Sequence, residues 1–196
     1  MGKRAIPVVL TESEQEKLLD QFNERYVTSF RNKVMFQLML NTGLRVSEAV
    51  SLRWEDVNLT SGKVMVREGK GAKDRSLWVD EGQLDELGKW KERQVEKVGE
   101  LPKWVFSTLR KGNAGEKLTI QQVWKTLKTY AEKAGVEKDI SPHTLRHTFA
   151  TDLYRETGKI RLVQKALGHA DLSTTMIYTH IVDEELEGAM KSFRGG

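Results

Sequence analysis

Residues 141–180 read SPHTLRHTFATDLYRETGKIRLVQKALGHADLSTTMIYTH, and this segment carries the clearest structural and chemical signals in the chain. Ser141 followed by Pro142 predicts the start of a helix, because serine caps a helix N-terminus and proline fits the first helical position. On that helix His143 and Arg146 share one face, since residues three apart are neighbours on a helix surface. The segment therefore brings an imidazole and a guanidinium together.

Two further polar side chains follow in the same segment. His169 comes directly after Gly168, where a second helix is expected to end, and Tyr178 lies in the apolar run Met176-Ile177-Tyr178. Taken singly, such a histidine or tyrosine is most often a structural residue, and Tyr178 alone has the character of a core residue. Together, imidazoles, a guanidinium and a phenol are the groups needed to attack a phosphodiester without a metal ion.

Composition bounds the class of protein. The chain has 196 residues, 38% hydrophobic and 31% charged, which predicts one soluble globular domain with a real core. The net charge of +4 favours an anionic partner. The absence of cysteine excludes disulfides and thiolate metal sites and fits a cytoplasmic protein. No apolar run approaches the length of a membrane span, and the first residues lack the apolar core of a signal peptide.

The first half of the chain reads mostly as helix. An extended lead-in over residues 1–10 precedes a capping box at Thr11 and Glu14. Residues 30–41 form an apolar run that is too continuous for a surface helix, which predicts a helix buried on several sides. Gly43 is expected to end it.

Residues 63–79 change to the alternating pattern of strands, interrupted by a polar loop at 68–74. They predict a β-hairpin. Helical spacing then returns after the predicted caps Asp80 and Thr119, and a last helix is expected to begin at Asp183. The predicted fold is mainly α with a small antiparallel β-hairpin or sheet element.

Three motifs together resemble the tyrosine recombinases, the lambda-integrase-like family. The first is His-x-x-Arg-His at 143–147 followed by LGHADLSTTMIYTH at 167–180. The others are TGLRVSEAVSLRWEDV at 42–57 and GKGAKDR at 69–75. The resemblance spans nearly the whole chain, and it implies that family's DNA breaking-and-rejoining catalytic fold.

The resemblance implies that two arginines hold the scissile phosphate. Arg45 matches the family's first catalytic arginine and Arg146 the second. A guanidinium is planar and permanently charged, and it can donate two parallel hydrogen bonds to phosphate oxygens. Glu48, three residues after Arg45, could orient it. A solvated glutamate and a surface arginine are the ordinary alternatives.

The same resemblance assigns a proton donor and a nucleophile. Lys70 matches the family's hairpin lysine, which would protonate the leaving 5′ oxygen; Lys73 is a rival in the same loop. Tyr178 would be the nucleophile, with His143 accepting its proton directly or through water. His169 would hydrogen-bond the phosphate.

Several features remain to be placed. His147 is expected to pack or to support Arg146. The product would be a 3′-phosphotyrosyl enzyme with a free 5′ hydroxyl, so rejoining would need no ATP. No clustered carboxylates or His-Glu-x-x-His occur, so neither a cofactor nor a metal is expected.

The resemblance also implies partners and domain organisation. The partner would be double-stranded DNA, bound by a homo-oligomer, a tetramer, through the C-terminal helix and tail at 183–196; packing in cis is the plain alternative for that helix. Residues 1–196 would form a single catalytic domain. Most relatives carry an N-terminal core-binding domain, which is expected to be absent here because the resemblance to the catalytic domain begins near residue 9, so the chain would be either a naturally small recombinase or a fragment of a longer one.

Other functions stay open. A type IB topoisomerase shares the tyrosine chemistry, although the TTMIYTH match at 174–180 argues against it. A non-catalytic DNA-binding regulator on the same fold would be expected to have a decayed site. A helix-turn-helix at 159–176 would explain neither the histidine and arginine at 143 and 146 nor the tyrosine.

Overall fold

The computed structural model describes residues 7–67, 74–169 and 171–193. Its α-helices are α1 Glu12–Leu19, α2 Val27–Thr42, α3 Val46–Ser51, α4 Glu81–Val98, α5 Ile120–Lys133, α6 Pro142–Thr157, α7 Ile160–Leu167 and α8 Ile177–Phe193. Its strands are β1 Val57–Asn58, β2 Lys63–Val66 and β3 Arg75–Trp78, and short 3₁₀ turns cover Trp54–Asp56 and Leu172–Thr174. The described residues therefore form a mainly helical protein with one small sheet, as predicted.

Helix α2 is the central element, and it packs against both α4 and α6. Its side chains are buried around most of its circumference, including Phe30, Val34 and Phe36. This confirms the prediction of a helix enclosed on several sides, although it begins three residues before the predicted start. Gly43 ends the helix in the left-handed conformation, with φ of 65°.

The sheet has the order β1-β2-β3 and is antiparallel throughout. Val64 pairs with Leu77 and Val66 with Arg75, so the inward-facing side chains of the hairpin include one arginine. The hairpin was predicted, whereas the two-residue strand β1 was too short to give an alternating pattern. The loop at 68–73, with both candidate lysines, lies outside the described residues.

Side-chain caps fix the starts of several helices where the sequence predicted them. Thr11 and Glu14 form the expected capping box. Asp80 accepts a hydrogen bond from the backbone N–H of Gln83 at 2.7 Å, and Ser141 caps α6 with Pro142 in its first turn. These caps satisfy backbone donors that a helix start leaves unpaired, and they fix the register of each helix against the core.

The start of the last helix was predicted wrongly. Helix α8 begins at Ile177 rather than at Asp183, directly after the 3₁₀ turn, so Tyr178 lies in its first turn. Tyr178 and Ile181 are buried and share one face with helical spacing. The short apolar run before Asp183 is the buried face of the same helix, and Asp183 is an exposed residue within it rather than a cap.

The hydrophobic core has two parts. The larger surrounds α2, and a smaller cluster lies beneath the first turn of α8. That cluster contains Ala150, Val163, Leu167, Tyr178 and Ile181, so it joins α6, α7 and α8. Among the residues that the structure describes, no helix is long and apolar enough to cross a membrane.

Candidate active site

Arg146 is held in place by the ends of two helices. It is buried, and its guanidinium donates to the carbonyl oxygens of Gly43 and Leu167, at 2.6 Å each. The same group lies 3.2 Å from Nε2 of His169. These partners come from the ends of α2 and α7, so the position of Arg146 depends on how both helices end.

Arg45 lies at the start of α3 and keeps part of its side chain exposed. Its guanidinium donates to Glu48 Oε1 at 2.7 Å, while its backbone N–H donates to Glu48 Oε2, also at 2.7 Å. The predicted pairing of Arg45 with Glu48 is therefore present. Glu48 is not the solvated glutamate of the ordinary interpretation, because only 10% of its side chain is exposed.

Arg75 is a member of the site that the sequence analysis missed. It is buried, donates to both carboxylate oxygens of Glu48 at 2.9 and 2.8 Å, and donates to the carbonyl oxygen of Ala166 at 3.0 Å. Hydrogen bonds and charge from Arg75 and Arg45 outweigh burial and hold the pKa of Glu48 below its usual range. An arginine in the inward register with Leu77 was the signal, because charged side chains are rarely buried without a partner.

His169 connects Arg146 to the turn before α8. Its Nδ1 lies 3.0 Å from the hydroxyl of Thr175, which is also buried. A guanidinium only donates, so Nε2 accepts from Arg146 and the ring proton lies on Nδ1, which donates to Thr175. Burial, helped by the nearby arginines, lowers the pKa of His169 to about 4. The ring is therefore neutral at neutral pH.

Tyr178 is enclosed, with 1% of its surface exposed. Its hydroxyl lies 2.9 Å from Nδ1 of His147. Burial raises the pKa of Tyr178 to about 12, and the charge of Arg146 opposes that rise. The pKa of His147 falls to about 4 through burial and the nearby His143 and Arg146. At neutral pH both members of this pair are neutral.

The two histidines on α6 differ in what they contact in the free protein. His147 contacts the tyrosine hydroxyl, whereas His143 is exposed one turn earlier on the same helix. The role of His143 as acceptor of the tyrosine proton stays a prediction. Helical spacing could not predict which of the two histidines contacts Tyr178, because both project from neighbouring faces of α6.

The structure brings most of the predicted residues into one electrostatic cluster. Arg45, Glu48, Arg75 and Tyr178 all act on the protonation of Arg146. Lys70 and Lys73 belong to the undescribed loop, and of the hairpin only the flanking ends, at Val66 and Arg75, can be placed. No group of three or more acidic, histidine or cysteine side chains that could hold a metal occurs within 7–67, 74–169 and 171–193.

Comparison of the whole sequence identifies related proteins. The chain is 38% identical over 190 residues to tyrosine recombinase XerD of Listeria monocytogenes serotype 4b, strain F2365, a match that covers 97% of this chain and 63% of XerD. It is also 38% identical over 188 residues to tyrosine recombinase XerA of Pyrococcus furiosus, covering 96% of this chain and 62% of XerA. The chain thus spans less than two thirds of the length of these relatives.

Structural comparison agrees with the sequence. A XerH site-specific recombinase bound to a palindromic difH substrate, in a post-cleavage complex, superposes with a TM-score of 0.80 at 30% identity, over 95% of this chain and 53% of XerH. Residues 8–185 match the Phage integrase family, and this range contains all six candidate catalytic positions. The chain therefore belongs to the phage integrase family.

Proposed function

We propose that this chain is the catalytic unit of a site-specific tyrosine recombinase, which cleaves and rejoins DNA strands through a 3′-phosphotyrosine. The observation that carries the proposal is a cluster in which Arg146 bonds His169, Glu48 joins Arg45 to Arg75, and the charge of Arg146 acts on Tyr178. The similarity to recombinases named XerD, XerA and XerH supports it and disfavours relaxation without recombination. The intact cluster disfavours a regulator with a decayed site.

The arginines would bind the scissile phosphate. Arg45 is partly exposed and Arg146 is rigidly anchored, so a phosphate between them would meet one adjustable and one fixed cation. Fixed donors aimed at developing charge stabilise a transition state with no cost of reorganisation. His169, held at Nδ1 by Thr175, would hydrogen-bond the same phosphate through Nε2 once that nitrogen leaves Arg146 and takes up a proton.

Tyr178 would supply the attacking oxygen. In the free protein its hydroxyl is enclosed and paired with His147, so it must leave that pair before it reaches a phosphate. The attack forms an O–P bond from Tyr178 and breaks the bond between phosphorus and the 5′ oxygen. His143, exposed beside Arg146, is the histidine best placed to meet bound DNA and accept the phenolic proton.

The leaving 5′ oxygen needs a proton, for which Lys70 is the candidate and Lys73 the rival. Both follow β2, whose partner strand begins with Arg75 in contact with Glu48, so the hairpin is tied to the arginine cluster. The reaction conserves the number of phosphodiester bonds. Rejoining therefore requires no ATP and no metal in this mechanism.

The proposed partner is double-stranded DNA, where a tetramer would form through α8. Leu186 and Met190 are 59% and 66% exposed on that helix, so both are available to contact another protomer. XerH in its difH complex supports DNA as the partner. Residues 1–196 would act as one catalytic domain. This domain would work inside the cell, bound to DNA.

Replacement of Tyr178 tests the function. Tyr178→Phe removes the attacking oxygen and should abolish covalent attachment to a nicked suicide duplex from the native locus, while DNA binding persists. Denaturing gels detect the covalent product. Tyr154→Phe is the matched control, since Tyr154 packs against the same small core and, among the described residues, no hydrogen bond joins its hydroxyl to the site. Covalent product from Tyr178→Phe would refute the proposal.

A further inference from the structure

A cavity of about 480 Å³ lies between α2, α5 and the segment that precedes α5. It is separate from the arginine and tyrosine cluster, with which it shares no lining residue. Its walls include Arg31 and Asn32 from α2, Arg110 from the preceding segment, and Lys125 and Tyr130 from α5. None of its lining residues is acidic.

Arg31 is the unusual residue of this cavity because it is 7% exposed and still carries a charge. Its Nε and one terminal nitrogen donate to Asn32 Oδ1 at 3.0 and 2.7 Å, and the other donates to the carbonyl oxygen of Ser107 at 2.9 Å. Among the described residues, no carboxylate forms an ion pair with it. A guanidinium has more N–H groups than these three bonds use.

Burial of a cation without a countercharge is costly, because the cation loses its hydration. Here burial lowers the pKa of Arg31 to about 10, so the group remains charged at neutral pH. Two of the Arg31 hydrogen bonds go to the amide oxygen of Asn32. That oxygen is neutral, so it does not offset the charge of Arg31. The cavity therefore contains a buried positive charge that nothing within the described protein neutralises.

Two exposed cations stand at the rim of the same cavity. Arg110 lines it from the segment before α5 and Lys125 from α5 itself, and neither forms an ion pair within the part of the chain that the structure describes. One buried and two exposed cations, with hydroxyl-bearing side chains between them, produce a concave positive surface. Such a surface favours an anion with several acceptor oxygens.

We propose that this cavity is a second phosphate-binding site, in which Arg31 forms the floor and Arg110 with Lys125 form the rim. A phosphate is tetrahedral and presents oxygens in several directions. It can therefore accept hydrogen bonds from Arg31, Arg110 and Lys125, which line the same cavity. It can come from two sources, a free phosphate group or the backbone of DNA. Strand cleavage is not part of the proposal, so its test uses binding alone.

The test compares two double variants of equal charge. Arg110→Gln with Lys125→Gln removes the rim, whereas Lys111→Gln with Lys128→Gln removes two exposed cations nearby that do not line the cavity. Inorganic phosphate is titrated calorimetrically at constant ionic strength. The affinity of a duplex is then measured against salt concentration. All four positions are exposed, so both variants should fold, as circular dichroism can verify.

The expected results identify the source of the phosphate. A free phosphate ligand predicts that the rim variant loses at least about tenfold in phosphate affinity relative to the control, because two charged hydrogen bonds to the phosphate are lost. Backbone binding predicts that the slope of log affinity against log salt falls by about one to two, because each phosphate contact adds about 0.9. If the rim variant equals the control in both measurements, the proposal is wrong.

A second measurement observes the Arg31 side chain directly by NMR. Its buried Nε–H is expected to give a resolved signal in a proton–nitrogen NMR spectrum, assigned by its loss in Arg31→Lys. Phosphate should shift this signal in the parent and in the Lys111→Gln, Lys128→Gln control. A signal that stays in place at saturating phosphate and duplex DNA would also overturn the proposal.

Discussion

Glu48 illustrates how one side chain can organise a cationic site. It lies between Arg45 and Arg75 and accepts hydrogen bonds from both. Arg75 continues the connection to the carbonyl oxygen of Ala166, close to the Leu167 carbonyl that holds Arg146. Two arginines that would repel each other, Arg45 and Arg75, are thus held together by a single carboxylate, and Arg75 is also held by the end of a helix.

Gly43 has a comparable role through its backbone. Its φ of +65° disfavours other residues, and a Cβ there would lie 2.3 Å from Phe149 Cδ1. Gly43→Ala should therefore lower the free energy of unfolding by roughly 1–3 kcal/mol, as expected for strained backbone. It should also slow cleavage by about tenfold or more, because the Gly43 carbonyl that orients Arg146 must move.

Gly135→Ala is the matched control for this prediction. Gly135 has nearly the same φ, +67°, yet a Cβ there would meet nothing within 4 Å. Chemical denaturation and single-turnover cleavage would be measured for both variants. Equal cleavage rates for Gly43→Ala and Gly135→Ala would show that the position of the Gly43 carbonyl does not matter for Arg146.

At the scale of elements, local chemistry made most helix ends predictable. Gly43, Gly168 and the caps Asp80, Thr119 and Ser141 act within one turn of the backbone, so their effect is visible in sequence. Helix α8 was predicted to begin too late because its first turn is buried, and burial removes the polar cap that marks an exposed start.

The candidate site was less predictable than the fold, for a related reason. Spacing placed His143 and Arg146 on one face of α6, but it could not tell which histidine approaches Tyr178 across the interface with α8. Arg75 was missed because its partner Glu48 is 27 residues away. Contacts between distant segments depend on how helices pack, which periodicity does not encode.

Helix α8 itself permits a prediction about assembly. The buried side chains Tyr178 and Ile181 precede Asp183, whereas Leu186 and Met190 beyond it are exposed. Truncation after Asp183 should therefore leave the melting temperature nearly unchanged and preserve DNA binding. It should prevent the pairing of two DNA sites, because the apolar surface proposed to contact another protomer is lost.

Light scattering with DNA and a thermal melt would measure both effects. Leu186→Ala with Met190→Ala in the full chain should reproduce the loss of pairing. Glu187→Ala with Lys191→Ala, which removes an exposed ion pair on the same helix, is the control. A markedly lower melting temperature after truncation would mean instead that the helix packs in cis.

At the scale of the whole molecule, the half-buried His147 and His169 link stability to pH. The pKa values of His147 and His169 are about 4 in the folded protein, against about 6.5 in an unfolded chain. Between these values the unfolded state binds protons that the folded state does not. The free energy of unfolding should therefore fall as the pH is lowered from about 6.5 towards 4.

Urea denaturation at a series of pH values would measure this dependence. His147→Gln and His169→Gln should each reduce the slope between pH 6.5 and 4.5, and the double variant should reduce it most. The pKa of Glu48 is held below its usual range. Protonation of Glu48 should therefore lower the free energy of unfolding only at more acidic pH. Curves for the variants that run parallel to the parent would exclude the histidines as the cause.

The hydrogen bonds of Arg146 have a further consequence for how the site meets an anion. Its acceptors are two peptide carbonyls and an uncharged ring nitrogen, and within the described residues no carboxylate forms an ion pair with it. These neutral acceptors fix the orientation of the guanidinium but do not cancel its positive charge. The electric field of the guanidinium therefore extends into the site. An arriving phosphate would not have to displace an internal competitor, and orientation and attraction are supplied by different atoms.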